Sequence, residues 1–266
     1  MIDLQKTKAL SNEQIKYIAP SVFTEVSSPD VSKHYTHIPT STVIDDMRLL
    51  GWDVVDAKEV RARKGIGFQK HLVVFRNPEV VINGSDGDTV YPQILLTNSH
   101  DGKNAFTFTA GLFRMVCENG LVISTEQFED VKMRHMGYTF EDLQVNIKDM
   151  VERLPLTVES MNVMKQTQLG EEQALDFAKK ALETRFDKKQ MERIQVDLND
   201  LLTPTRKEDQ GSDLWSVFNV IQEKLIDGGF DYRSKSKSRK ARKIKNFSQD
   251  KKVNEKLFSL ALEFVS

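Results

Sequence analysis

The feature that most constrains this chain is a change of hydrophobic period near its middle. Up to Ser124 the apolar residues alternate or run in short β-branched and aromatic blocks punctuated by Gly, Asn and Asp, whereas from Thr139 onward they recur at helical spacing. Strand patterning followed by helix patterning predicts an α+β fold, with an N-terminal antiparallel sheet region, flanking helices and a largely helical C-terminal half. We divide the chain into an N-terminal helix and loop (1–38), an α+β core with a basic hairpin (39–135) and a helical half (136–266) integrated with that core.

Local signals fill in this outline. SNEQIKYIA opens on cap-type residues and stops at Pro20, predicting a short first helix. Thr40 or Ser41 caps a second helix through Val43, Ile44, Met47 and Leu50, with Gly51 as its stop. Trp52 then begins a hairpin, WDVVDAKEVRARKG and FQKHLVVFRNP, turning at Gly65 to Gly67. YPQILLTNS reads as a buried strand, HDGKN as a turn, and AFTFTAGLFRMVCENGLVIS as strand, or strand and helix. Helical periodicity runs from Thr139 to about Gln168, broken or bent at Pro155, and again from Glu171 to Leu202. After a linker from Pro204 to Gly211 come the amphipathic DLWSVFNVIQEKLID and, at the end, a closing helix, NEKLFSLALEF.

Composition excludes several classes. With 29% charged residues against 39% hydrophobic, no apolar window of about 18 residues exists to cross a bilayer. MIDLQKTKAL has no apolar signal-peptide core, so the expected location is the cytoplasm, with no membrane partner. The single cysteine, Cys117, excludes an internal disulfide and a thiolate zinc site, and its apolar neighbours predict a buried core thiol.

Charge is segregated although the net is only -1. Arg233, Lys235, Lys237, Arg239, Lys240, Arg242, Lys243 and Lys245 fall in thirteen residues without an acid, which leaves the rest of the chain at -9. We expect this Ser-interleaved run to be an exposed, mobile loop that contacts phosphates. A second excess, Lys58, Arg61, Arg63, Lys64, Lys70 and Arg76, faces only Glu59. Continued strand alternation through this hairpin would point Arg61 and Arg63 together, away from Val60 and Ala62, and make it the primary binding surface, with the C-terminal run as an accessory. A solvated, salt-bridged face normally interleaves acids, so two unbalanced stretches point to an anionic partner.

Signals for catalysis are weaker. Asn98, Ser99, His100 and Asp101 with Cys117 include a base and a nucleophile, but NSHDG has the composition of a polar turn. His34 and His37 lie in a loop-like region without a nearby third ligand, and His71, His100 and His135 are scattered, so no metal or other cofactor is expected. No GxxxxGK[ST] phosphate loop occurs. Gly102, Gly111 and Gly120 read as turns or close-packing points, and Trp52, Trp215, Phe106, Phe108 and Phe113 as core aromatics rather than base-stacking residues.

The block LLTNSHDGKNAFTFTAGLFRMVCENGLVIS, with KHLVVFR before it and LWSVFNVIQEKLIDGG after it, resembles the phage and plasmid-like proteins of domain of unknown function 932. The resemblance extends from about Ile38 to the end and implies a mobile-element origin in bacteria. The order of a helix ending at Gly51-Trp52, a basic hairpin and a third strand is similar to the core of phage single-strand annealing proteins of the Red beta and Erf kinds, without a shared residue motif. The reading we favour is a DNA-binding protein, single-stranded DNA its preferred ligand, acting in strand annealing and assembling as a homo-oligomer. The alternatives are a host-defence antagonist that binds a host protein and a hydrolase built on the NSHDG turn.

Overall fold

In the computed structural model the described residues are 8–62, 64–83, 89–104, 106–114, 119–122, 131–133, 138–234 and 237–265. Cys117, His135, Arg63 and Lys235 lie outside them. In chain order the elements are α1 (Asn12–Ile18), a 3-10 turn (Pro20–Phe23), α2 (Thr40–Leu49), β1 (Asp53–Glu59), β2 (His71–Arg76), β3 (Ile82–Asn83), β4 (Thr89–Asn98), β5 (Phe106–Arg114), β6 (Asn119–Val122) and β7 (Val131–Met133). The second half contains α3 (Phe140–Gln166), α4 (Glu171–Arg185), α5 (Lys188–Met191), β8 (Ile194–Val196), α6 (Leu198–Leu202), a second 3-10 turn (Lys207–Asp209), α7 (Leu214–Asp227), β9 (Asp231–Ser234), β10 (Lys237–Lys240) and α8 (Phe247–Glu263). This is the expected α+β class, antiparallel sheet first and mostly helix afterwards. Among the described residues, no helix is long and apolar enough to cross a membrane.

Packing divides the chain into two compact units, one of Met1–Asn83, Thr89–Met115 and Glu126–Leu154, the other of Gly84–Asp88, Val116–Thr125 and Pro155–Ser266. In the first, the strands lie in the order β1-β2-β4-β5, with β3 paired to β4 and β7 to β5, every pairing antiparallel. All six residues of β2 are buried, which is why HLVVFR reads as a continuous block rather than an alternation. Ser11 and Gln14 form a capping box on α1, and Val43, Ile44 and Met47 give α2 its buried stripe. Gly51, at a positive φ of 82°, lets Trp52 bond back to the Met47 carbonyl and enter β1.

The second unit is built around α4, α7 and α8, which pack on one another through Phe177, Leu182, Phe218, Ile221, Leu225, Leu257 and Phe258, with β6 beside α8. Trp215 stacks on Phe218 with ring centroids 5.7 Å apart, and Gln222 donates to Asn254 at 2.6 Å in the interior. A second sheet, β10-β9-β8, completes it.

Four expectations are corrected. The first hairpin arm stops at Glu59, whose carboxylate accepts the Ser21 N–H at 2.8 Å. The ladder gains one more bond, Val60 to Lys70, before Gly65 and Gly67 turn the chain at positive φ, so Arg61 lies in a connection and not on an alternating strand. Val60, expected to face the core, is 36% exposed. Of the break or bend expected at Pro155, the break does not occur: α3 continues through that residue. The stretch from Glu171 to Leu202 is not one helix: Asp187 caps a new turn after Phe186, and Ile194–Val196 pairs as β8. Finally, the basic run is a hairpin rather than a loop, anchored by β8 on one side and by buried Ala241 and Ile244 on the other.

Candidate nucleic-acid interface

The C-terminal hairpin is set in place by α7. That helix ends at Gly228, where φ is 79° and an added Cβ would collide with the Ala241 carbonyl. Gly229 then donates to Ala241 at 2.9 Å and Ala241 to Phe230 at 2.8 Å, bringing the two arms together before β9 and β10 pair. The register sets Arg239 opposite Tyr232 and Lys237 opposite Ser234, with Val196 and Ile194 across from the same two β9 residues. Directly opposed residues share a face, so Tyr232, Lys237 and Arg239 stand on one side of this small sheet, and Arg233, Ser238 and Lys240 on the other.

Phe186, just after α4, meets Tyr232 at 5.9 Å between ring centroids, tilted by 54°. It meets Phe230 edge-on at 6.4 Å. The Arg185 guanidinium lies 5.6 Å from the Phe186 centroid and 5.7 Å from that of Phe230. It donates to the carbonyls of Leu225 and of Arg242, the latter at 2.6 Å, tying the ends of α4 and α7 to the chain after β10. Burial lowers the Arg185 pKa, opposed by the neighbouring Tyr232.

These groups border an open groove of about 850 Å³, lined by Arg185, Phe186, Tyr232, Lys237, Arg239, Lys240 and Arg242, together with Ser238 and Ala241. No acid is among its described lining residues. Lys237, Arg239, Lys240 and Arg242 are exposed, and none forms an ion pair with a described residue. Lys243 is engaged by Asp227 at 2.7 Å, and Arg233 is exposed on the opposite face of β9. Lys237 and Arg239 on the face of Tyr232, with Lys240 and Arg242 also bordering the groove, make a surface that can bind an extended polyanion.

The first basic stretch is placed differently. Arg61 and Lys64 are exposed in the connection between β1 and β2, in the first unit, and Lys70 is half-buried at its end. Arg76 is only 5% exposed, across from Asp53 in the ladder and 5.8 Å from the Tyr91 ring centroid, and burial lowers its pKa. It therefore does not join Arg61 and Lys64 at the surface. Sequence reading missed Tyr232, Phe186 and Arg185. Tyr232 borders the basic run directly, and that adjacency was the available signal.

The NSHDG turn folds inward. The Ser99 hydroxyl donates to Asp101 at 2.7 Å and accepts from Asn104 at 3.0 Å, while the Asn98 amide donates to Thr40 at 3.0 Å. His71 is held between the hydroxyls of Ser21 at 2.9 Å and Thr40 at 2.8 Å. The buried His100 ring lies 4.5 Å from His37 and 5.2 Å from His71, centroid to centroid. Burial pushes His71 down to about 4, so it is neutral near pH 7. Ser99 thus bonds a carboxylate two residues on, as a turn residue does, and not an imidazole base. Trp52, Trp215, Phe106 and Phe108 are core residues. Among the described residues, no group of three His, Cys, Asp or Glu could hold a metal ion.

The family described as Domain of unknown function (DUF932) matches residues 29–257. The chain is 30% identical over 261 residues to the UPF0380 protein YafZ of Escherichia coli strain K12, a span that covers 97% of this chain and 92% of that protein. It is similar to the same extent to the UPF0380 protein YfjQ of that organism, at 30% identity and with the same coverage. No solved structure matches it.

Proposed function

The chain belongs to the Domain of unknown function (DUF932) family, and from its own surface we propose that it binds nucleic acid, with single-stranded DNA the favoured ligand and the β9–β10 hairpin the principal contact. One observation carries the reading: Lys237, Arg239, Lys240 and Arg242 border a single groove that no described acid lines. Four ammonium and guanidinium groups held together repel one another, and a polyphosphate relieves that repulsion while releasing counterions. Arg61 and Lys64 are accessory contacts in this reading. Strand annealing in the recombination or replication of a mobile element is the process it serves in this reading, since a protein that holds single strands unpaired presents them for pairing.

The test is a binding titration of the full chain against a labelled single strand and a duplex of equal length, for the wild type and for a variant with Lys237, Arg239, Lys240 and Arg242 all changed to Gln. The variant should lose at least about tenfold in affinity, as removal of several phosphate contacts requires, while its unfolding midpoint stays within a few degrees. Equal affinity of the two proteins would remove the hairpin from the interface. Absence of binding by the wild type would remove nucleic acid as the ligand.

A further inference from the structure

We propose that Tyr232, backed by Phe186, is a stacking platform for an unpaired base, so that the groove reads the single-stranded state itself and not only negative charge. The inference rests on the nucleic-acid reading above and goes beyond it by naming the chemistry of selection. Tyr232 lines the groove and is half-buried, with Phe186 packed against it at 5.9 Å. Phe186 is in turn fixed by Phe230 and by the Arg185 guanidinium, whose two bonds go to the Leu225 and Arg242 carbonyls. The Tyr232 ring is therefore held by Phe186, which borders the same groove. It shares a sheet face with Lys237 and Arg239, and its direct ladder partner is Arg239. A base on the tyrosine would leave its flanking phosphates among the cations of the same face.

Charge on β10, an edge strand, has an ordinary explanation, because lysines on a sheet edge block pairing with another chain. Edge protection does not call for an aromatic ring facing the same space. In a duplex both faces of each base are covered by its neighbours, so a duplex can reach the cations but not the ring. The platform thus discriminates by what the ligand exposes.

The experiment separates base from phosphate. Full-length protein is titrated with an oligothymidylate, with a strand of the same length whose sugars carry no bases, and with a duplex. The wild type should bind oligothymidylate about five- to hundredfold more tightly than the abasic strand, the range expected for one stacked base. Tyr232→Leu should abolish that preference, so that it binds the oligothymidylate and the abasic strand equally, and Tyr232→Trp should retain it. Arg239→Gln with Lys240→Gln should weaken all ligands together. Equal binding of the two single strands by the wild type overturns the platform while leaving charge-driven binding in place, and this comparison needs no variant to fold. A Tyr232→Leu protein that keeps the base preference overturns it equally. Failure of the wild type to bind any of the three ligands overturns the nucleic-acid reading, and the platform with it.

Discussion

At the residue scale the most consequential side chains are those whose polar atoms are consumed inside the protein. His71 sets Nδ1 against the Ser21 hydroxyl and the Gln69 carbonyl and Nε2 against the Thr40 hydroxyl, and Thr40 also accepts from Asn98. Protonation would oblige both nitrogens to donate and place a charge where desolvation is severe. The folded value of about 4 lies below the ordinary 6.5 of imidazole, so this term stabilises fully above pH 6.5 and is lost as the pH falls toward 4. The maximum loss is roughly 3 kcal/mol, from about 1.4 kcal/mol per pH unit of depression. Chemical denaturation at pH 7.0 and pH 4.5 checks it: the stability difference between wild type and His71→Gln should shrink markedly at the lower pH, and a difference that stays constant would show that the ring is not held neutral. His37 is also lowered by burial, so the variant should retain part of the acid sensitivity. Nothing in HLVVFR announces this network, because its hydroxyl partners lie 50 and 31 residues away in sequence. The core aromatics Trp52, Phe106 and Phe108 were legible, since their spacing on strand-like or strand-entry segments is the burial signal itself.

At the element scale, legibility followed whether a segment's pattern had one meaning. α2 and α7 carry apolar residues at helical spacing and end in glycines at positive φ, so sequence and structure agree on their bodies and C-termini, although α2 starts after Pro39 and not from a Thr40 or Ser41 cap. The basic run had two meanings. Eight like charges without an acid suggested a loop, but KSKSRK also has period two, and buried Ala241 and Ile244 with half-buried Tyr232 and Val196 supply the anchoring that charge counting overlooks. β1 erred in the opposite direction: its alternation persists on paper through Arg61, but the Glu59 contact to Ser21 and the Gly65 and Gly67 turn end the strand first. For β10 the contest is between edge protection and ligand binding, and charge sign decides it. Lys237→Glu with Arg239→Glu keeps the edge charged, so the protein should remain monodisperse by light scattering, yet affinity for single strands should fall more than with Gln at the same two positions. A doubly reversed protein that binds as before would leave these residues with edge protection alone.

At the scale of the whole molecule, the distribution of charge matters more than its sum. The chain as a whole is at -1, and removing the Arg233 to Lys245 run leaves -9 on the remainder, so nucleic acid is repelled on average by everything except the basic stretches. That segregation was fully visible in the sequence. Which cations gather around one groove was not, because it depends on the β9–β10 register. The arrangement makes a quantitative prediction about salt. Each phosphate contact on a single strand contributes about -0.7 to the slope of log K against log salt, so four contacts from Lys237, Arg239, Lys240 and Arg242 should give a slope of about -3. Raising salt from about 50 to 200 mM should then weaken binding roughly fiftyfold. The quadruple Gln variant should lose about three units of slope and keep at most the one unit that Arg61 and Lys64 contribute. Arg61→Gln with Lys64→Gln should shallow the slope by at most about one unit, since those two residues belong to the first unit and border no part of this groove. A wild-type slope near zero would mean that affinity, if present, comes from something other than these cations. Equal flattening by the Arg61 and Lys64 substitutions would shift the principal contact to the β1–β2 connection.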